Sequence, residues 1–142
     1  MRAVDYSLIF PGEFPAPAVA ADPLMPIVFD DQRSFHGVVA HYRGELIGWL
    51  SYSPRRVRGS QQLLVHVVWV ALLHRRRGLA RTMLHLAIDD VKPSQLLTQV
   101  ISLAGYRFFQ TARAVWPNLN FRVSGAERFR YEIWNRALSI MC

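Results

Sequence analysis

The sequence predicts an α/β domain, and three observations carry that prediction. β-rich runs of hairpin type, GVVAHY and LIGWLSYS, flank the turn-like Arg43-Gly44-Glu45. The run Leu63 to Val70 (LLVHVVWV) is almost wholly apolar and β-branched, as suits a strand covered on both faces in the middle of a sheet. Soon after it, GLARTMLHLAIDDV places Leu79, Met83, Leu86 and Ala87 at helical spacing until Lys92-Pro93 stops the pattern.

The remaining elements follow in chain order. Val4, Tyr6 and Leu8 alternate with Asp5 and Ser7, as a half-buried first strand would. Prolines at 11, 15, 17, 23 and 26 exclude a long helix there, so residues 1–35 are expected to end in an irregular, proline-rich wrap. PRRVRGSQ supplies turn residues and three arginines, and is expected to be a basic connecting loop. Leu96 to Ile101 reads as a short strand, and Leu103 to Val115 as a second helix ending near Trp116-Pro117. Phe121 to Val123 and Arg128 to Trp134 are expected to close the sheet as a pair. No repeat or linker divides the chain, so its 142 residues are expected to form one domain with a sheet and helix core over 36–134.

Composition narrows the function classes. A hydrophobic content of 51% with 19% charged residues is enough for a buried core. The longest nearly apolar run, Leu63 to Leu73, is interrupted by His66 and falls far short of the ~20 residues of a membrane span. The N-terminus shows no secretory pattern, so a soluble, cytoplasmic protein without a membrane partner is expected. Cys142, the sole cysteine, excludes an intramolecular disulfide and a cysteine-based zinc site. His36, His41 and His85 lack metal-like spacing with acids, and no metal is expected. Residues 1–31 carry five acids and one base, whereas the rest of the chain carries sixteen bases and five acids, a net +11. Such a basic body favours polyanionic ligands, either nucleic acid or a phosphorylated cofactor. Arg55, Arg56 and Arg58 have two readings, an anion grip on a phosphate or an acidic partner and, favoured over it, the charge of a solvated loop.

The informative stretch is VVWVALLHRRRGLARTML, a buried strand, a short turn and an arginine- and glycine-containing loop that opens a helix. Amides at a helix start have no carbonyl partners and the helix dipole adds positive charge there, so phosphate oxygens bind well. Gly78 permits close backbone approach, and Ala80 is small enough to preserve it.

The loop Arg75-Arg76-Arg77-Gly78-Leu79-Ala80 resembles the pyrophosphate signature of the GNAT superfamily of acyl-CoA-dependent N-acyltransferases, Gln/Arg-x-x-Gly-x-Gly/Ala. Trp69-Val70 stands where the family's fourth strand usually ends in an aromatic-valine pair, and Glu45-Leu46-Ile47-Gly48 is similar to a phrase of its hairpin. The resemblance covers roughly residues 36 to 92. It implies a mixed, mostly antiparallel central sheet flanked by helices, with a shortened irregular N-terminal region in place of two helices. It also implies acetyl-CoA as co-substrate, bound by Val68, Trp69, Val70, Arg75, Arg76, Arg77, Gly78, Leu79, Ala80 and Arg81. The backbone amides of Val68 and Val70 are then expected to polarise the thioester.

His66 lies nine residues before Arg75, where relatives often keep a glutamate, and is the candidate general base. A lone histidine in an apolar strand is more often a hydrogen-bonded core residue. Trp116 stands where the family often has the tyrosine that protonates the leaving thiolate, and Tyr106 is the candidate substitute acid. Asn120 replaces a usual glycine, and Phe109 a usual asparagine. The implied reaction is acetyl transfer to an amine of a small molecule or protein, with a homodimer left open. Two alternatives use the basic surface: a GNAT-like binding module, and an acyltransferase that modifies nucleic acid.

Overall fold

The computed structural model describes residues 3–13, 34–100 and 102–125. They form β1 (Asp5–Ile9), β2 (His36–Tyr42), β3 (Glu45–Val57), β4 (Ser60–Val70), α1 (Leu79–Val91), β5 (Gln95–Gln99), α2 (Leu103–Val115) and β6 (Asn120–Ser124). The strands make one six-stranded sheet in sequence order. Pairing is antiparallel from β1 to β4 and parallel from β4 to β6, so the sheet is mixed as expected. Leu103–Val115 is the helix read from sequence, whereas the expected strand at 128–134 and the wrap beyond Glu13 lie outside the described residues.

Both hairpins close through the same dipeptide. Arg43 and Gly44 have φ of 52° and 80°, and Arg58 and Gly59 have φ of 50° and 79°. Positive φ at both central residues gives a two-residue turn whose twist matches that of the flanking strands. The second turn corrects the sequence reading: PRRVRGSQ is a continuation of the hairpin, with Val57 paired to Ser60 and Arg55 to Gln62. Pro54 is tolerated inside β3 because β2 ends opposite Tyr52, leaving the next residues of β3 without a β2 neighbour.

A right-handed crossover is the rule for parallel neighbours, and β4-α1-β5 and β5-α2-β6 advance in the same direction across the sheet. Both helices therefore belong on one face. The main core joins Leu79, Met83, Leu84 and Ala87 of α1 and Phe109 and Ala112 of α2 to Leu50, Leu63, Val65, Leu96 and Phe121 of the strands. Tyr52 fastens α1 from below: its hydroxyl donates to Asp90 Oδ2 at 2.8 Å. Burial, reinforced by Asp90, holds that phenol well above its usual range, so it stays a donor.

The opposite face carries a smaller cluster of Val39, Leu46 and Trp49, with Val67 and Trp69 packed against it. Its composition reveals a break in alternation. Ser51 pairs with Val67 and Tyr52 with Val65, so His66 is an extra residue in β4. Before it Leu63 and Val65 face the helices; after it Val68 and Val70 do, and Val67 and Trp69 turn to the other side.

Gly48 lets α1 approach the sheet. A Cβ there would lie 3.1 Å from the Trp69 carbonyl oxygen and 3.2 Å from Met83 Cε. The methionine tip can move, but the strand carbonyl cannot. Gly48→Val is expected to destabilise the fold by about 1–3 kcal/mol, the usual cost of overpacking. A chemical-denaturation midpoint equal to that of the parent would show that the contact relaxes freely.

Candidate active site

The site begins where two pairings end at different places. β4 stays with β3 as far as Gly48↔Val70 but with β5 only as far as Val65↔Thr98. From His66 to Val70, β4 has no β5 neighbour. The amide of Ala71 donates to the Ile47 carbonyl at 2.7 Å. Strand alternation then turns the Trp69 amide toward β3 and the Val68 and Val70 amides away from it, into the gap. Of the three strand residues expected at the cofactor, Trp69 sets its ring against that of Trp49, with centroids 4.9 Å apart and planes tilted by 33°.

A short 3₁₀ turn, Leu72–His74, leads from β4 into the arginine loop. Arg75 Nε donates to the Val70 carbonyl at 2.9 Å, tying the loop back to the strand end. Arg76 and Gly78 take left-handed φ of 62° and 81°. Gly78 is the N-cap of α1 and no side chain caps the helix start. A Cβ on Gly78 would meet nothing within 4 Å, so there is room beside the helix start, whose first amides have no carbonyl partner within the helix. Leu79 contributes only backbone, because its side chain is buried in the core, while Arg76, Arg77 and Arg81 are exposed. Open space, free amides and positive charge fit a pyrophosphate.

On the face away from the helices, the gap opens into a hollow of about 840 Å³ lined by Phe35, Leu64, His66, Leu97, Gln99 and Arg122, among others. The His66 ring stacks on Phe35 with centroids 3.8 Å apart. Its Nε2 lies 2.8 Å from Ser53 Oγ. Burial pushes the imidazole below its usual range, favouring the neutral form that can accept a proton. If Nε2–H donates to Ser53, the basic lone pair is on Nδ1.

Tyr106 sits on the first turn of α2, half-buried against the main core, and is not among the residues lining the hollow. Trp116 ends α2 and lies near His85, with ring centroids 6.1 Å apart. A second hollow of about 430 Å³, at Arg113, Asn118 and Asn120, is at the other end of the sheet. The sequence reading missed Ser53, Phe35 and Arg122. Their meeting with His66 depends on strand register, which no local motif announces.

The acetyltransferase (GNAT) family profile matches residues 5–121. The chain belongs to that family. The fold agrees with solved structures. A ribosomal-protein-alanine N-acetyltransferase from Brucella melitensis biovar Abortus 2308 superposes with a TM-score of 0.60 at 18% identity, over 78% of this chain and 90% of that one. An aminoglycoside acetyltransferase from an uncultured soil metagenomic sample gives 0.58 at 12% identity, over 78% and 87%. An aminoglycoside N-acetyltransferase solved with CoA gives 0.53 at 14% identity, over 84% and 88%. No curated protein sequence matches.

The environment of His66 has a measurable consequence. Its folded-state pKa is depressed, so the unfolded chain binds the proton more readily, and stability is lost as pH falls from about 6.5 through the folded value. Proton NMR titration should place the His66 midpoint below that of an exposed histidine. A midpoint at or above the ordinary value would mean that the imidazole is hydrated.

Proposed function

We propose that this GNAT-family chain transfers an acetyl group from acetyl-CoA to the amine of an acceptor that occupies the hollow beside His66. The observation that carries the reading is the unpaired edge of β4, with the Val68 and Val70 amides turned into a gap that adjoins the loop from Arg75 to Ala80. Acetyl-CoA supplies an activated thioester carbonyl when bound. In this reading the first-turn amides of α1, with Arg76, Arg77 and Arg81, take the pyrophosphate, and Arg75 fixes the loop to the strand end. The strand amides receive the carbonyl oxygen and stabilise negative charge as it develops there, the largest expected catalytic contribution.

His66 removes a proton from the acceptor ammonium so that a neutral amine can attack. Its burial fits this role, because the imidazole is unprotonated at neutral pH without help from a carboxylate. Ser53 positions the ring and Phe35 packs its face. Tyr106, on the first turn of α2, is the proposed acid for the departing thiolate.

Two experiments test this. Isothermal calorimetry should show CoA binding to the wild type, and Gly78→Glu should abolish it, since the carboxylate would fill the open space at a residue already in left-handed φ. Equal affinity in the two proteins would remove the loop from the cofactor site.

For the chemistry, His66→Ala should lower kcat roughly 10²- to 10⁴-fold, the usual worth of a positioned base, while CoA affinity stays nearly unchanged. The wild-type rate should rise with pH on a limb below about 6.5 and level off by neutrality. Near-normal turnover in His66→Ala, with the same acidic limb, would make His66 a packing residue.

A further inference from the structure

The acyl-transfer reading leaves one charged side chain in the hollow without a task. Ser53, Leu64, Leu97 and Arg122 stand in register across β3, β4, β5 and β6. His66 joins that row through Ser53, so the imidazole and the guanidinium flank the same hollow from opposite sides. From strand spacing, their Cα atoms are on the order of 12 Å apart, which leaves room for a small molecule between the two side chains.

The electrostatics of this lining are one-sided. Among the described residues around the hollow, Arg122 is the sole permanently charged group, and no Asp or Glu is present. Arg122 is exposed, and no carboxylate pairs with it among the described residues. The imidazole opposite is held toward neutrality. Arg122 is also on the wrong face to serve the cofactor loop. That loop opens α1, which packs on the helix face together with Leu96 and Phe121, whereas Arg122 follows Phe121 and points to the other side.

Building on the acyl-transfer reading, we propose that the acceptor is an amine bearing an anionic group in the same molecule, the anion bound by Arg122 and the amine placed at His66. A guanidinium offers a planar fork of donors suited to carboxylate or phosphate. A second ammonium in place of the anion would meet Arg122 with no described carboxylate to offset the repulsion. Leu64 and Leu97, lying in the row between Ser53 and Arg122, suit the short apolar spacer of such an acceptor.

Calorimetry on the whole chain tests this with four amines of similar length: γ-aminobutyrate, aminopropyl phosphate, butylamine and putrescine, each with and without CoA. At least one anionic amine should bind about tenfold or more tightly than butylamine, with putrescine weakest, and comparison of the two anions identifies the preferred one. Arg122→Gln should erase the preference and Arg122→Glu should reverse it, both with wild-type CoA affinity and an unchanged circular dichroism spectrum. The proposal is overturned if no amine binds, if butylamine or putrescine matches the anionic amines, or if the preference survives in both variants. Loss of CoA binding in Arg122→Glu overturns it too, by moving Arg122 to the cofactor side. A wild type that ignores CoA but still prefers the anionic amines would instead remove the transfer reading, and the titrations without CoA keep the two failures apart.

Discussion

Because β4 carries one residue more than β3 opposite Ser51 and Tyr52, every side chain beyond His66 changes face. The rest of the site depends on that insertion. It puts Val68 and Val70 on the helix side and Trp69 against Trp49 on the other. It also sets the imidazole at the bend, where Ser53 and Phe35 can reach it. A bulge increases the local twist and bends the strand that carries it. β5 follows β4 only up to the bulge, with Val65↔Thr98 as the last pair, and the gap between the two strands begins at the next residue. The break in the ladder that would weaken an ordinary sheet is what leaves amides available to a ligand.

Those parts of the fold that sequence could reveal were the ones written locally. α2 spans Leu103–Val115, as its spacing and the following Trp116-Pro117 suggest, and Ser102 accepts from the Gly105 amide as an N-cap should. The loop from Arg75 to Ala80 is equally local, since a strand, a glycine and a helix in sequence are enough to place free amides together. The arginine hairpin was misread because Arg58-Gly59 carries a weaker turn signal than Asn-Gly, and Pro54 argued against a strand. The bulge was invisible for a different reason. LLVHVVWV is apolar on both sides of His66, so its alternation has no phase that a slip of one residue could disturb. Arg122 was beyond reach altogether, because its place beside the hollow comes from β6 pairing in parallel with β5 across an intervening helix.

The proposed base, His66, fits this environment. No Asp or Glu occurs between Glu45 and Asp89, so β4, whose open edge borders the gap, carries no carboxylate. Burial acts in opposite directions on the two candidate bases. It raises a carboxylate toward the protonated form, but lowers an imidazole toward the free base. In a half-buried position lined by Leu64, Leu97 and Phe35, a histidine is therefore competent at neutral pH with nothing more than a hydroxyl partner.

The two faces of the sheet divide the work through handedness alone. Successive parallel strands that advance in one direction with right-handed crossovers must put α1 and α2 on the same side. That side receives the start of α1, and with it the amides proposed to bind the pyrophosphate and the exposed arginines. The opposite side of β4, β5 and β6 is covered by neither helix, so a hollow can form there beside the same gap. Two reactants can then approach one strand edge from opposite faces without competing for space. Among the described residues, the stretch from His66 to Val70 is paired with β3 but not with β5, whereas toward its start the strand is closed by β5 on one edge and β3 on the other. The proposed chemistry is thereby confined to those few residues by the sheet itself, before any catalytic side chain is considered.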